Sequence, residues 1–368
     1  MWRSGLEKRA DTQLPAPVSI PPSLEFDGND GPWSSFRVSI GTPPQTVKVL
    51  ISTASSQTWT ILPEGCAQSD QANCTISRGG AFEPNNSSTW NNNTATANAL
   101  FPLLLDNSIL NYTAGGQYGF DNVTLGGPSG PSLDKQAVAG IVTEQFYLGL
   151  FGLNPQTSTL PDATTPLPDF VSQLNQSGSI PSLAWSYTAG NQYRPGPFYG
   201  SLVLGGYDAS RFEPNNITFS INAADSGSLT VDIGAIILTT DGNTTVLTGP
   251  NNSIPALIDS TTPYIYFPLY LCQQFEKAFG IEWDDDVQAY LVNDTLHQAL
   301  QSQDTSVVFN LGNSSTTPGQ GFNISFPYSA FDLIAEAPLV PNATRYFPLM
   351  RSGNESQYTL GRTFLQEA

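Results

Sequence analysis

Two stretches of this chain have the residue types and spacing to do chemistry. Val49-Leu-Ile-Ser-Thr-Ala-Ser-Ser-Gln-Thr-Trp59 runs from an apolar strand into a hydroxyl-rich turn with Ser52 at its tip. Ala256-Leu-Ile-Asp-Ser-Thr-Thr262 repeats the pattern with Asp259 at the tip. A carboxylate held there can take up and release a proton, and so serve as a general acid or base. A serine hydroxyl cannot do this near neutral or acid pH, although it can hydrogen-bond a water. As a nucleophile it needs a base, commonly histidine, within hydrogen-bond reach. The only histidine, His297, lies far along the chain in Asp294-Thr-Leu-His-Gln-Ala-Leu300, which reads as a surface helix. A serine nucleophile is therefore disfavoured. The acidic run Glu282, Asp284, Asp285 and Asp286 has no histidine or cysteine beside it and reads as a solvated loop, so no metal site is expected.

The elements that must position these tips are short strands. Phe36 to Ile51 reads as strand, turn, strand: FRVSIG, then TPPQ, then TVKVLI, with alternating apolar residues on both arms. Residues 63–98 read as a long polar loop. Further on, the two glycines of Tyr112-Thr-Ala-Gly-Gly-Gln-Tyr-Gly119 read as the tip of a mobile hairpin. PDFVSQLNQSG, residues 168–178, is a short helix candidate ended by glycine. Residues 200–206 and 229–238 read as strands. Residues 268–280 have the best helical spacing in the chain, with Leu269, Cys272, Phe275, Ala278 and Phe279 on one face and Gly280 to close the end. One repeat stands out. Strand, turn and hydroxyl-rich tip, followed later by a hydrophobic-Gly element, occurs at Ile51–Ser56 with Leu148–Leu153, and again at Ile258–Thr262 with Thr359–Gly361. Two similar β-lobes facing each other would bring Ser52 and Asp259 together at the base of a cleft.

Composition narrows the class. The chain has 368 residues, 32 of them glycine and 29 proline, which favours many short strands joined by turns. Acids outnumber bases 31 to 13, and the resulting net charge of −18 argues against nucleic acid and against docking on anionic membranes. Fifteen N-x-S/T acceptor asparagines point to a secreted protein carrying N-linked glycans. Cys66 and Cys74 lie eight apart in a polar loop, a spacing that a small disulfide could close, whereas Cys272 has no evident partner. Residues 1–10 carry a dibasic Lys8-Arg9 that reads as a processing site, and residues 11–32 form a Pro-rich extended lead-in. No run of about 18 apolar residues exists, so no membrane span is expected within this chain.

From Trp33 to its last residue the chain resembles the pepsin-like aspartic proteases. Val38-Ser-Ile-Gly-Thr-Pro-Pro-Gln45 is similar to the family's entry hairpin. Ser52-Thr-Ala-Ser-Ser-Gln-Thr-Trp59 occupies the place of its Asp-Thr-Gly-Ser-Ser-x-x-Trp motif, and Asp259-Ser-Thr-Thr occupies the second such place. Cys66 and Cys74 match its small disulfide loop, Phe82 to Trp90 its F-x-P-x-x-S-S-T-aromatic segment, GSLVLGGYDASRF (200–212) its strand between the lobes, and Leu360-Gly361 its late hydrophobic-Leu-Gly. Within the family it is most similar to fungal aspartic-protease-like proteins, some of which continue to a membrane anchor.

The resemblance implies an all-β, bilobal fold with a few short helices: a lead-in at 1–32, an N-terminal lobe at 33–214 and a C-terminal lobe at 215–368 that stops early. It implies a monomer without cofactor that takes a peptide or protein in its cleft. The family's chemistry uses two carboxylates that share one proton and one water; so close, they cannot both ionise easily, and their pKa values split, pepsin being the familiar example. Here Ser52 stands where one carboxylate belongs, leaving Asp259 alone. The resemblance further assigns Thr53, Ser260, Ser55 and Thr262 as supporting hydroxyls, Trp59 as the support of a flap tyrosine, and Tyr112 as that tyrosine on a shortened flap. The glycine after each tip is replaced, by Ala54 and by Thr261. Scaffold kept and carboxylate lost implies a secreted or cell-surface pseudoprotease that binds a peptide, protein or polymer in its cleft; the alternative is a weak aspartic endopeptidase working at acid pH.

Overall fold

The computed structural model describes residues 14–67, 69, 71, 73–92, 101–102, 115–160, 166–196, 198–215, 217–219, 221, 229–248, 253–312 and 321–368. The described part of the lead-in, from residue 14, enters sheets as β1 (Val18–Ile20) and β2 (Pro22–Asp27). The expected hairpin is β3 (Trp33–Ile40) with β4 (Gln45–Ser52), paired from Phe36↔Val49 to Ile40↔Gln45. Side chains alternate along a strand. Val47, Val49 and Ile51 of β4 therefore enter one core, while Leu50 and Ser52 face the other way, and Leu50 joins a second cluster with Trp33, Trp59 and Leu150.

Beyond the first tip come β5 (Thr58–Ile61), a disulfide between Cys66 and Cys74 with Cα atoms 5.8 Å apart, and the one-turn helix α1 (Cys74–Ser77). The segment read as a polar loop thus holds α1 and short 3-10 turns at Pro63–Cys66 and Pro84–Asn86. The glycines read as a hairpin tip are not one: Gly115 and Gly116 open the long strand β6 (Gly115–Leu125), and Gly116 pairs with Phe101. Glycine's missing side chain favours turns locally, but pairing with the strands on either side overrides that preference here. Then follow β7 (Ser132–Ile141) and β8 (Gly149–Gly152), giving the sheet order β2-β3-β4-β8-β5-β7-β6.

The expected helix at 168–178 is α2 (Phe170–Gln176), capped where Asp169 Oδ1 accepts the Ser172 N–H at 2.9 Å. Next, β9 (Trp185–Asn191) and β10 (Phe198–Leu204) form a sheet with β1. The second lobe contains β11 (Thr230–Thr240), β12 (Ile254–Ile258), β13 (Ile265–Phe267), α3 (Leu269–Phe279), α4 (Asp294–Ser302), β14 (Thr305–Gly312), β15 (Phe322–Pro327), β16 (Leu349–Arg351) and β17 (Thr359–Leu360). Its main sheet runs β15-β14-β11-β12-β17-β13-β16. Helix α3 ends at Gly280, φ 68°, as expected, but its buried face is Leu271, Cys272, Phe275 and Phe279; Leu269 and Ala278 are exposed. The buried stripe is thus narrower than the spacing suggested: Leu269 at the first helical position and Ala278 near the end lie outside it. The Cys272 thiol is buried and unbonded to another cysteine, and burial pushes it up to about 12. Among the described residues no helix is long and apolar enough to cross a membrane.

The repeat read from the sequence is a repeat of topology. Strand β4 reaches its tip and the chain returns as β5, but the two are separated by β8, parallel to β4 and antiparallel to β5. In the second lobe β12 and β13 are likewise split by β17, parallel to β12 and antiparallel to β13. The inserted glycines are required by space. A Cβ on Gly152 would lie 2.3 Å from Ser55 O, and one on Gly361 2.3 Å from Tyr264 O and 2.5 Å from Thr262 O. Each tip is therefore threaded between two strands that hold it still.

Candidate functional site

The two tips meet and hold each other through a two-fold set of hydrogen bonds. The Thr53 N–H donates to Ser260 Oγ at 2.9 Å, and the Ser260 N–H donates to Thr53 Oγ1 at 3.0 Å. Each hydroxyl then donates to the opposite strand: Thr53 to Ile258 O at 3.0 Å, and Ser260 to Ile51 O at 2.7 Å. The hydroxyls two positions further on brace their own turns, since Ser55 Oγ accepts the Gln57 N–H at 3.1 Å and Thr262 Oγ1 accepts the Tyr264 N–H at 3.2 Å. All four supporting hydroxyls named from the sequence are buried.

The symmetry breaks at the tip residues. Ser52 is wholly buried; its Oγ accepts the Ser55 N–H at 2.9 Å and lies 2.7 Å from Thr261 Oγ1. Both contacts use its single oxygen, and Thr261 is the residue standing where glycine was expected. Asp259 is 3% exposed and its Oδ1 accepts the Thr261 N–H at 2.8 Å. Burial pushes the Asp259 carboxyl above the usual range, against smaller opposing effects from the Thr261 bond and the charge of Arg362.

Sequence reasoning missed Arg362. Its signal was a lone cation in the apolar run Leu360-Gly-Arg-Thr-Phe-Leu365. Its guanidinium is buried behind the second tip, with Nη1 donating to Ser260 O at 3.0 Å and Thr261 O at 2.9 Å and Nη2 to Asp30 Oδ2 at 2.8 Å. The other Asp30 oxygen accepts the Trp33 indole N–H at 2.6 Å, and Arg362 lies 5.0 Å over that ring. Its counterpart at the first tip is neutral: Asn154 Nδ2 donates to Ala54 O at 3.0 Å.

Beside the tips lies a cavity of about 450 Å³, walled by Leu50, Phe146, Leu150, Thr261, Pro263 and Arg362 among others. Leu50 is two residues before Ser52 on the same strand face, and Leu150 is paired directly opposite it. The cavity therefore begins one side-chain step from Ser52. Trp59 is buried with its ring edge-on to Phe146, centroids 5.1 Å apart, and its indole N–H bonds Gln57 Oε1 at 3.3 Å. Tyr112 lies outside the described residues. His297 is on α4 as expected but is buried rather than on the surface; its ring faces Asp332, 3.2 Å away, and Tyr328, not Ser52. Helix α4 is amphipathic and packs the imidazole inward together with Leu300.

Two β-lobes joined by a hydroxyl grip around a cleft define an aspartic-protease-type scaffold. The model of the eukaryotic aspartyl protease family matches residues 35–368, and the chain belongs to that family. It is 24% identical over 335 residues to candidapepsin-2 of Candida parapsilosis, covering 91% of this chain and 72% of that one. It is 24% identical over 344 residues to secreted aspartic protease 8 of Candida albicans, covering 92% and 73%. Human gastricsin is 30% identical over 245 residues, covering 61% of this chain and 57% of gastricsin.

Proposed function

We propose that this is a secreted or cell-surface aspartic-protease-like glycoprotein that binds a peptide or protein segment in its cleft without cutting it. The observation that carries the reading is the Ser52 hydroxyl. Where the family's reaction needs a carboxylate to share a proton with Asp259, a neutral oxygen is already engaged by the Ser55 N–H and by Thr261 Oγ1. General acid–base help from each side is worth about 10²–10⁴-fold, so loss of one side leaves very little hydrolysis. What supports retained binding is the intact grip between the tips and the open cavity beside them. The secreted setting rests on the acceptor asparagines and on relatives that include a secreted protease of Candida albicans.

The test is incubation of the glycosylated chain with denatured protein between roughly pH 3 and 6, with and without pepstatin, alongside peptide-binding measurements. The expected result is saturable peptide binding with no pepstatin-sensitive cleavage. Pepstatin-sensitive turnover would instead establish the weak endopeptidase, and absence of any peptide binding would remove the reading altogether.

A further inference from the structure

The cavity beside Thr261 is lined by three charged side chains, Asp30, Arg362 and Glu144. Two of them satisfy each other. Arg362 donates to Asp30 and to two backbone carbonyls, and the remaining Asp30 oxygen is taken by the Trp33 indole. Glu144 is different. It is half-buried, its Oε1 is closed off from solvent, and that oxygen has no hydrogen-bond partner. No ion pair among the described residues reaches it.

The other buried cation beside this turn is Arg78. That guanidinium is committed elsewhere. It donates to the carbonyls of Gly65 (2.7 Å), Thr143 (2.8 Å), Phe146 (2.6 Å) and Tyr147 (2.9 Å), and so fixes the turn from which Glu144 projects. A carboxylate oxygen removed from water and left without a donor is costly; because Glu144 is only half-buried, its side chain can turn to offer that oxygen to a donor in the cavity, which recovers the cost. Leu50, Phe146, Leu148, Leu150 and Leu339 supply an apolar part of the wall, beside the polar Asn29, Gln145 and Thr261. A long aliphatic stem ending in a positive charge matches both parts of this lining.

The geometry points to selection of a basic side chain: the cavity takes a lysine or arginine of the bound peptide, its stem against the leucines and its charged head on Glu144. The net charge of −18 favours the same class of ligand from a distance by drawing cationic segments toward the protein. This inference rests on the peptide-binding reading above, and adds the chemistry of one side chain to it.

The probe is a set of synthetic apolar decapeptides carrying one lysine, scanned along the sequence, each matched by a twin with norleucine in the same place. Dissociation constants are measured on the full glycosylated chain and on its Glu144→Gln and Glu144→Lys variants. At one position, lysine is expected to bind about tenfold more tightly than norleucine, the size of a charge-assisted hydrogen bond in a partly wet site. Glu144→Gln brings that ratio to about one, and Glu144→Lys inverts it. If lysine and norleucine peptides bind equally at every position, or if the preference survives Glu144→Gln, the selection is refuted while peptide binding itself stands. If neither kind of peptide binds, both readings fail together.

Discussion

Restoring the missing carboxylate is the sharpest test of what was lost at the tip. Ser52 Oγ sits 2.7 Å from Thr261 Oγ1, so the larger aspartate side chain has no room for its second oxygen while threonine occupies position 261. The perturbation is therefore Ser52→Asp combined with Thr261→Gly, made on the intact grip. The added carboxyl would share a wholly buried site with Asp259, whose own carboxyl burial already raises. Two such groups hold one proton between them, and a gain of about 10²–10⁴-fold in acid cleavage over the parent is expected from the second acid–base partner. The same pair has a stability signature. The folded variant keeps its shared proton to a higher pH than the unfolded chain does, so its stability falls as pH rises, by about 1.4 kcal/mol per unit of upward displacement. The assays are pepstatin-sensitive cleavage of a quenched-fluorescence peptide across acid pH, and urea unfolding at acid and neutral pH. A double variant that folds, binds peptide and shows the stability signature, yet cleaves nothing, would refute the proposal that Ser52 is what withholds cleavage.

Asp259→Asn should stabilise the protein at neutral pH and leave it unchanged in strong acid. The folded carboxyl is raised by burial, so the parent's stability is fully present below the unfolded pKa and is lost as pH rises through the folded one; thermal melting against pH measures this, and a neutral-pH loss would contradict it. Ser260→Ala strands the Thr53 N–H and the Ile51 carbonyl in a buried setting, and about 2–4 kcal/mol of unfolding free energy should go with them. Combining it with Thr53→Ala should cost clearly less than the sum, because the two hydroxyls serve the same grip. Arg78→Met leaves four buried carbonyls without a donor; a loss of about 3–5 kcal/mol by urea denaturation is expected, with faster hydrogen exchange along residues 143–148.

Much of this protein was legible from local pattern. The entry hairpin, the two tips, the disulfide of Cys66 with Cys74, α2, the glycine that ends α3 and the repeated hydrophobic-Gly elements all follow from spacing and residue type, because strand alternation, capping and close packing at glycine act over a few residues. Ser52 and Asp259 could be paired in advance for the same reason, since each sits at the end of an identical local device. What the tertiary structure decided involves groups distant in sequence. That Thr261 would close on Ser52, that Arg362 would lie behind the second tip on Asp30, and that Gly115 and Gly116 would enter a strand rather than a turn depend on contacts across the fold. So does the state of Glu144, unremarkable in the sequence, whose Oε1 is buried without a hydrogen-bond partner while Arg78 bonds backbone carbonyls and Arg362 bonds Asp30. Sequence determines which hydrogen-bonding groups the chain has; only the folded chain determines which of them are already taken.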